Sequence, residues 1–214
     1  TEVRAHVADR GRLLETLIPG CALCLVERLG EKRATSWQAA AALLPDGRWA
    51  SLDTLLPNRL MKLLLTAQVP LGLPAYTAVR SEVAVGASRF DFVLTTPTGP
   101  CVVEVKSAGR IREGLGIVPD APSTRASRHV TELAALAADG TRTALVVVAQ
   151  GEAQAVAIDA DIDPVLAAAV WHAAAAGVQL VGVSTAFDRN GLYFRHTVPF
   201  IHMHEHRAGS DTHP

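Results

Sequence analysis

The 214-residue chain lacks several features that would assign it at once. Every long apolar stretch is broken by Gln, Asp, Arg or Gly before reaching the roughly 18 residues of a membrane span, so neither a transmembrane helix nor a membrane partner is expected. The opening TEVRAHV has no charged segment followed by an apolar core, so no secretory leader is expected in it. Because the chain begins with Thr and not Met, some N-terminal sequence is expected to be missing. Three cysteines, an odd number, do not make a disulfide framework and fit a reducing cytoplasm. Cys21 and Cys24 form a CxxC with no second pair, which leaves a zinc site incomplete and the cysteines structural. Neither charge sign dominates: 20 Lys and Arg against 21 Asp and Glu give a net charge of −1, unlike a protein that coats nucleic acid through bulk charge.

What is present is a globular pattern, 49% apolar, that changes character along its length. Residues 1–52 read as β: CALCLVER is a short apolar run, and TSWQAAAALLPDGRWASL places a DG turn between two strand-like arms, so a small barrel or sheet is expected. DTLLPNRLMKLLLTA has helical spacing with Asp53 or Thr54 as cap, and 53–79 reads as a helical linker into a second unit. Over 80–201 the order becomes strand, strand, strand, helix, strand, helix, strand: SEVAV, RFDFVLTT, CVVEVKS, the capped STRASRHVTELAALAADG, TALVVVAQ, DPVLAAAVWHAAAAG and VQLVGVST. TALVVVAQ reads as a central strand covered on both faces, so the second unit is an α/β domain with a mixed sheet. Residues 202–214 form a polar tail with His202, His204 and His206 at alternate positions, read as a frayed terminus rather than a metal site.

Charges inside the apolar strands need an account, because each is costly to bury unless paired or metal-bound. In SRFDFVLTTPTGPCVVEVKS the turn PTGP closes a hairpin. Residues two apart on a strand share a face, so Glu104 and Lys106 point together while Val103 and Val105 pack inward. Asp91 on the partner strand can reach the same face, bringing two carboxylates and an ammonium together. Two hard oxygen ligands suit Mg²⁺ or Mn²⁺, which keeps waters and accepts phosphate oxygens, and the lysine can orient a water and offset phosphate charge. Glu82, upstream in SEV, could supply a third carboxylate to a metal or to the attacking water. Arg89, Arg110, Arg125, Arg128 and His129 cluster around this motif and are candidates for contacting nucleic acid. A cross-strand salt bridge between Lys106 and either carboxylate is the structural alternative.

These residues resemble a known family. SEVAVGASRFDFVL, VVEVKS and PDAPSTRASRHVTEL, with PNRL at 57–60 and GRLLETLIPG at 11–20, are similar to the SfsA family, the sugar fermentation stimulation protein A homologues. The resemblance implies an N-terminal OB-like small β-barrel over 1–52 and a PD-(D/E)XK restriction-endonuclease-like α/β domain over 80–201. The barrel is expected to be incomplete, since the strand with which family members begin is absent, leaving an open edge to be covered by packing on the second domain or by a second copy in a homodimer. Trp37 and Trp49 are its stacking candidates, each expected to end in the core. Asp91, Glu104 and Lys106 match the nuclease triad and Glu82 the upstream acid, implying a divalent-metal-dependent nuclease acting on DNA or RNA. The alternative is a DNA-binding regulator of sugar metabolism that keeps the fold without turnover.

Overall fold

A computed structural model describes residues 2–8, 13, 16–30, 33–188 and 190–203. The N-terminal unit is an open four-stranded sheet of β1 (Ala5–Val7), β2 (Leu23–Glu27), β3 (Trp37–Leu43) and β4 (Trp49–Ser51). β3 pairs with all three others, parallel to β1 and antiparallel to β2 and β4. The DG turn at Asp46 and Gly47 joins β3 to β4, with Arg48 closing onto the Asp46 carboxylate at 2.6 Å. The core under this sheet is small, built on Ala39, Ala42 and Leu52, and no closed barrel forms among the described residues.

Next come α1 (Leu56–Thr66), β5 (Ala78–Val85), β6 (Ser88–Thr96), β7 (Gly99–Ala108), β8 (Arg110–Arg112), β9 (Leu115–Val118) and α2 (Thr124–Ala138). The chain continues through β10 (Arg142–Ala149), β11 (Ala155–Ile158), α3 (Pro164–Ala175), β12 (Gln179–Asp188) and β13 (Gly191–Val198). Six strands form one mixed sheet in the order β13-β12-β10-β7-β6-β5. β7, β10 and β12 run parallel, with antiparallel strands on both flanks. β10 is buried at every residue after Arg142, as a strand covered on both faces must be. The mixed α/β class expected from the sequence is the one observed.

One face of this sheet packs under α1, where Leu60, Met61, Leu64 and Leu65 meet Phe92, Leu94, Val103, Val105, Val146 and Val148. The segment read as a linker is therefore a core layer, because its apolar stripe finds the matching Val-rich face of the sheet. α2 and α3 cover the other face through Val130, Leu133, Leu166 and Val170. Both helices start as their sequences direct: Ser123 Oγ accepts from Ala126 N–H at 3.2 Å and Asp163 Oδ1 from Leu166 N–H at 2.9 Å. At α1 the expected cap is different, since Asp53 Oδ1 accepts from Leu55 N–H one residue before the helix begins. A three-stranded sheet of β8, β9 and β11 and the last strand β13 carry no clear signal in the sequence. Among the described residues no helix is long and apolar enough to cross a membrane.

Candidate functional site

The Pro97–Thr98 turn sets the register of the β6–β7 hairpin, pairing Thr96 with Gly99 and Phe92 with Val103. One step further along, Asp91 falls opposite Glu104, beyond the last registered pair. Here the two strands part. The backbone N–H of Val105 is instead accepted by Asp91 Oδ2 at 2.7 Å, and Asp91 Oδ1 accepts from Asn58 Nδ2, on α1, at 2.6 Å. The carboxylate is thus held in the gap between strands by a main-chain donor and an amide.

Period-two alternation puts Glu104 and Lys106 on the α2 side, while Val103 and Val105 join the α1 core. Glu104 is only 3% exposed. Its Oε1 accepts from Lys106 Nζ at 2.5 Å and lies 2.8 Å from His129 Nδ1. Its Oε2 is buried with no hydrogen-bond partner. Burial first, and the Glu104 charge second, push the Asp91 carboxyl up to about 6, against the opposing pull of Val105 N–H, Lys106 and Asn58. Two carboxylates that raise one another's cost, one with an orphaned oxygen, form a donor set suited to a hard divalent cation. Among the described residues no three His, Cys, Asp or Glu side chains gather as a metal set. The residues of the chain that could hold such a cation are the two carboxylates.

The other predicted residues separate. β5 registers Ser81 with Phe92 and Val83 with Phe90, which places Glu82 across from Asp91 without a registered pair of its own. Glu82 is exposed and has a left-handed backbone, φ +55°, so the ladder is interrupted where a third carboxylate was expected. It does not gather with the other two. Arg89, Arg125 and Arg128 are exposed, with Arg128 Nε 3.7 Å from Glu132 Oε1 one turn along α2. Arg110 is instead drawn into an internal ion cluster, 2.5 Å from Asp159 and 3.8 Å from Asp120, and is not available to a nucleic-acid backbone. His129 also leaves the predicted contact surface. Its place among Ala126, Val130 and Leu133 on the buried face of α2 turns it onto Glu104 and against the Phe90 ring, 5.7 Å between centroids.

Asn58 was not singled out by the sequence. Its signals were its polarity in an apolar helix and its place in the PNRL stretch at 57–60. Trp37 and Trp49 are both half-buried. His202 stacks on Trp171 at 3.5 Å, whereas His204 and His206 lie outside the described residues. Cys21, Cys24 and Cys101 are free thiols.

With this geometry in place, comparison with known proteins is informative. The family model described as "Sugar fermentation stimulation protein RE domain" matches residues 55–191, from α1 to the start of β13. A sugar fermentation stimulation protein homolog of Chloroflexus aggregans is 38% identical over 92% of this chain and 76% of its own length. One from Moorella thermoacetica is 41% identical over 86% of this chain and 80% of its own. Among solved structures, that of Pyrococcus furiosus SfsA in complex with Ca²⁺ superposes with a TM-score of 0.82 at 28% identity, covering 93% of this chain and 86% of that one.

Proposed function

The chain belongs to the SfsA family, the sugar fermentation stimulation protein homologues, and we propose that it is a divalent-metal-dependent nuclease hydrolysing phosphodiester bonds in DNA, with RNA as the second candidate substrate. One observation carries the reading: Asp91 lies at the register of Glu104 where two strands part and feels the Glu104 charge, Glu104 Oε2 has no partner, and Lys106 is bonded to Glu104. A relative of similar fold takes up Ca²⁺, which supports a divalent cation here as well. Asp91 and Glu104 would hold Mg²⁺ or Mn²⁺, which when bound supplies Lewis-acid charge to the phosphate being cleaved.

The remaining chemistry falls to side chains of this chain. Asn58 and the Val105 N–H orient Asp91. His129 and Lys106 both engage Glu104 Oε1, which leaves Oε2 as the oxygen to be offered. The Lys106 side chain keeps 21% exposure, so its ammonium can reach the solvent side of the pair, orient an attacking water and offset charge developing on the phosphate. Arg125 and Arg128, three apart on the outer face of α2, would meet the flanking phosphates.

The test is cleavage of labelled single- and double-stranded DNA with Mg²⁺ or Mn²⁺, beside calorimetric titration of the cation. Lys106→Met should retain cation affinity and lose most turnover. DNA binding without cleavage in either cation would overturn the enzyme reading in favour of a non-catalytic DNA-binding regulator.

A further inference from the structure

The carboxyl ends of the three parallel strands β7, β10 and β12 converge on a cavity of about 260 Å³, roofed by the β3–β4 hairpin of the N-terminal sheet. Crevices at the carboxyl ends of parallel strands are where open α/β sheets take ligands. At this volume, just under the roughly 300–1,000 Å³ of drug-sized sites, the cavity suits a single ring system. Gly109, at its edge, follows Lys106 by three residues, about 10 Å of extended chain. Glu104 precedes Gly109 by five residues, about 17 Å, so the cavity lies at the end of the strand that carries this carboxylate.

Its chemistry is specific. Gln150, 3% exposed, lines the cavity, and its side-chain carbonyl Oε1 has no hydrogen-bond partner. A buried acceptor in this position calls for a ligand that donates. Trp49 and Phe187 line the same space, both half-buried, and neither touches another aromatic ring among the described residues. The charges at the rim are already matched: Arg48 pairs with Asp46 at 2.6 Å and Glu152 with Arg195 at 3.3 Å. The cavity thus offers aromatic faces and an amide acceptor but no uncompensated charge, which selects a neutral planar ring with an N–H edge over a phosphate.

We propose that this cavity receives one unpaired nucleobase of the strand being cut, its ring lying against Trp49 or Phe187 and an N–H of its edge donating to Gln150 Oε1. The placement of the substrate rests on the nuclease reading above, but base binding can be measured without turnover. A base in a duplex is already stacked and paired, so the site favours single-stranded ends or flaps over blunt duplex. It would also make the N-terminal hairpin part of the substrate site.

The probe is a ten-nucleotide single strand carrying 2-aminopurine at one position, moved along the strand, titrated into the full chain in EDTA. The expected result is fluorescence quenching confined to one position, with affinity falling about tenfold in Trp49→Leu, in the range of one base–aromatic stack. Trp49→Phe should restore much of that affinity, and Gln150→Leu should weaken binding by a similar factor. Phe187→Leu provides an independent arm should a Trp49 variant melt early by circular dichroism. Equal affinity for a blunt duplex, or unchanged affinity in both aromatic variants, overturns the proposal even if cleavage in Mg²⁺ is intact. Adenosine monophosphate binding as tightly as the strand would overturn it in favour of a free-nucleotide site. Position-specific quenching with no cleavage in any cation would leave the base site standing and reject the nuclease reading alone.

Discussion

The two faces of the central sheet are built from the same strands but to different ends. Toward α1, β7 presents Val103 and Val105 to Leu60, Met61, Leu64 and Leu65, with no charge among them. Toward α2, the alternate positions of β7 carry Glu104 and Lys106 into a layer that also holds His129. One face contributes apolar burial, while the other accepts the cost of buried charge. The contrast suggests that changes on the first should alter stability with little effect on chemistry, and changes on the second should alter chemistry.

The largest effect is expected from Glu104→Gln, which keeps the shape and removes the charge. Turnover should fall by about 10²–10³-fold, the size typical of losing one preorganised charge-stabilising group, with cation affinity lost and the melting temperature lowered, because Lys106 and His129 lose their charged acceptor. A variant that cleaves normally would erase the functional difference between the faces. On the opposite face, Leu65, 1% exposed, should cost about 2–5 kcal/mol as Leu65→Ala in chemical denaturation, while the cation affinity of the folded protein stays the same.

Asp91 sharpens the comparison through pH. Its carboxyl is pushed from the usual 3.8 up to about 6, so the folded chain holds this proton longer than the unfolded chain does. Stability contributed by this group therefore falls as pH rises from about 4 to about 6, and the full cost remains above that. Asp91→Asn should gain about 2 kcal/mol above pH 6 without divalent cation, allowing for its partial exposure, and the gain should vanish below about pH 4. Melting curves at pH 4, 6 and 8 test the sign. Cation binding to the unsubstituted chain should also weaken as pH drops below about 6. The smallest effect is expected at the edge of the α2 layer, where Ser123→Ala removes a helix cap and should cost about 1 kcal/mol without changing cleavage.

Much of the fold could be read directly from the chain. The Pro97–Thr98 turn, the Ser123 cap and the unbroken apolar run of β10 are local signals, and each formed the element expected of it. β8, β9 and β11 were not legible, because they are short strands whose pairing partners lie far along the chain. At the site, the shared face of Glu104 and Lys106 followed from strand period alone. Asn58, by contrast, is tied to Asp91 across 33 residues of chain, which no local pattern encodes.

The sequence alone therefore determined the β6–β7 hairpin, the helices α2 and α3, the family and the shared face of Glu104 and Lys106, because two-residue and 3.6-residue periods and tight turns are properties of neighbouring residues. Tertiary structure decided the rest. It made α1 a core layer, turned His129 inward onto Glu104, drew Arg110 into the Asp159 and Asp120 cluster, left Glu82 in solvent and brought a hairpin over the ends of three strands. Which charge is buried and which stays exposed depends on what the fold brings against it, since the cost of desolvation is set by contacts that form only once distant segments pack together.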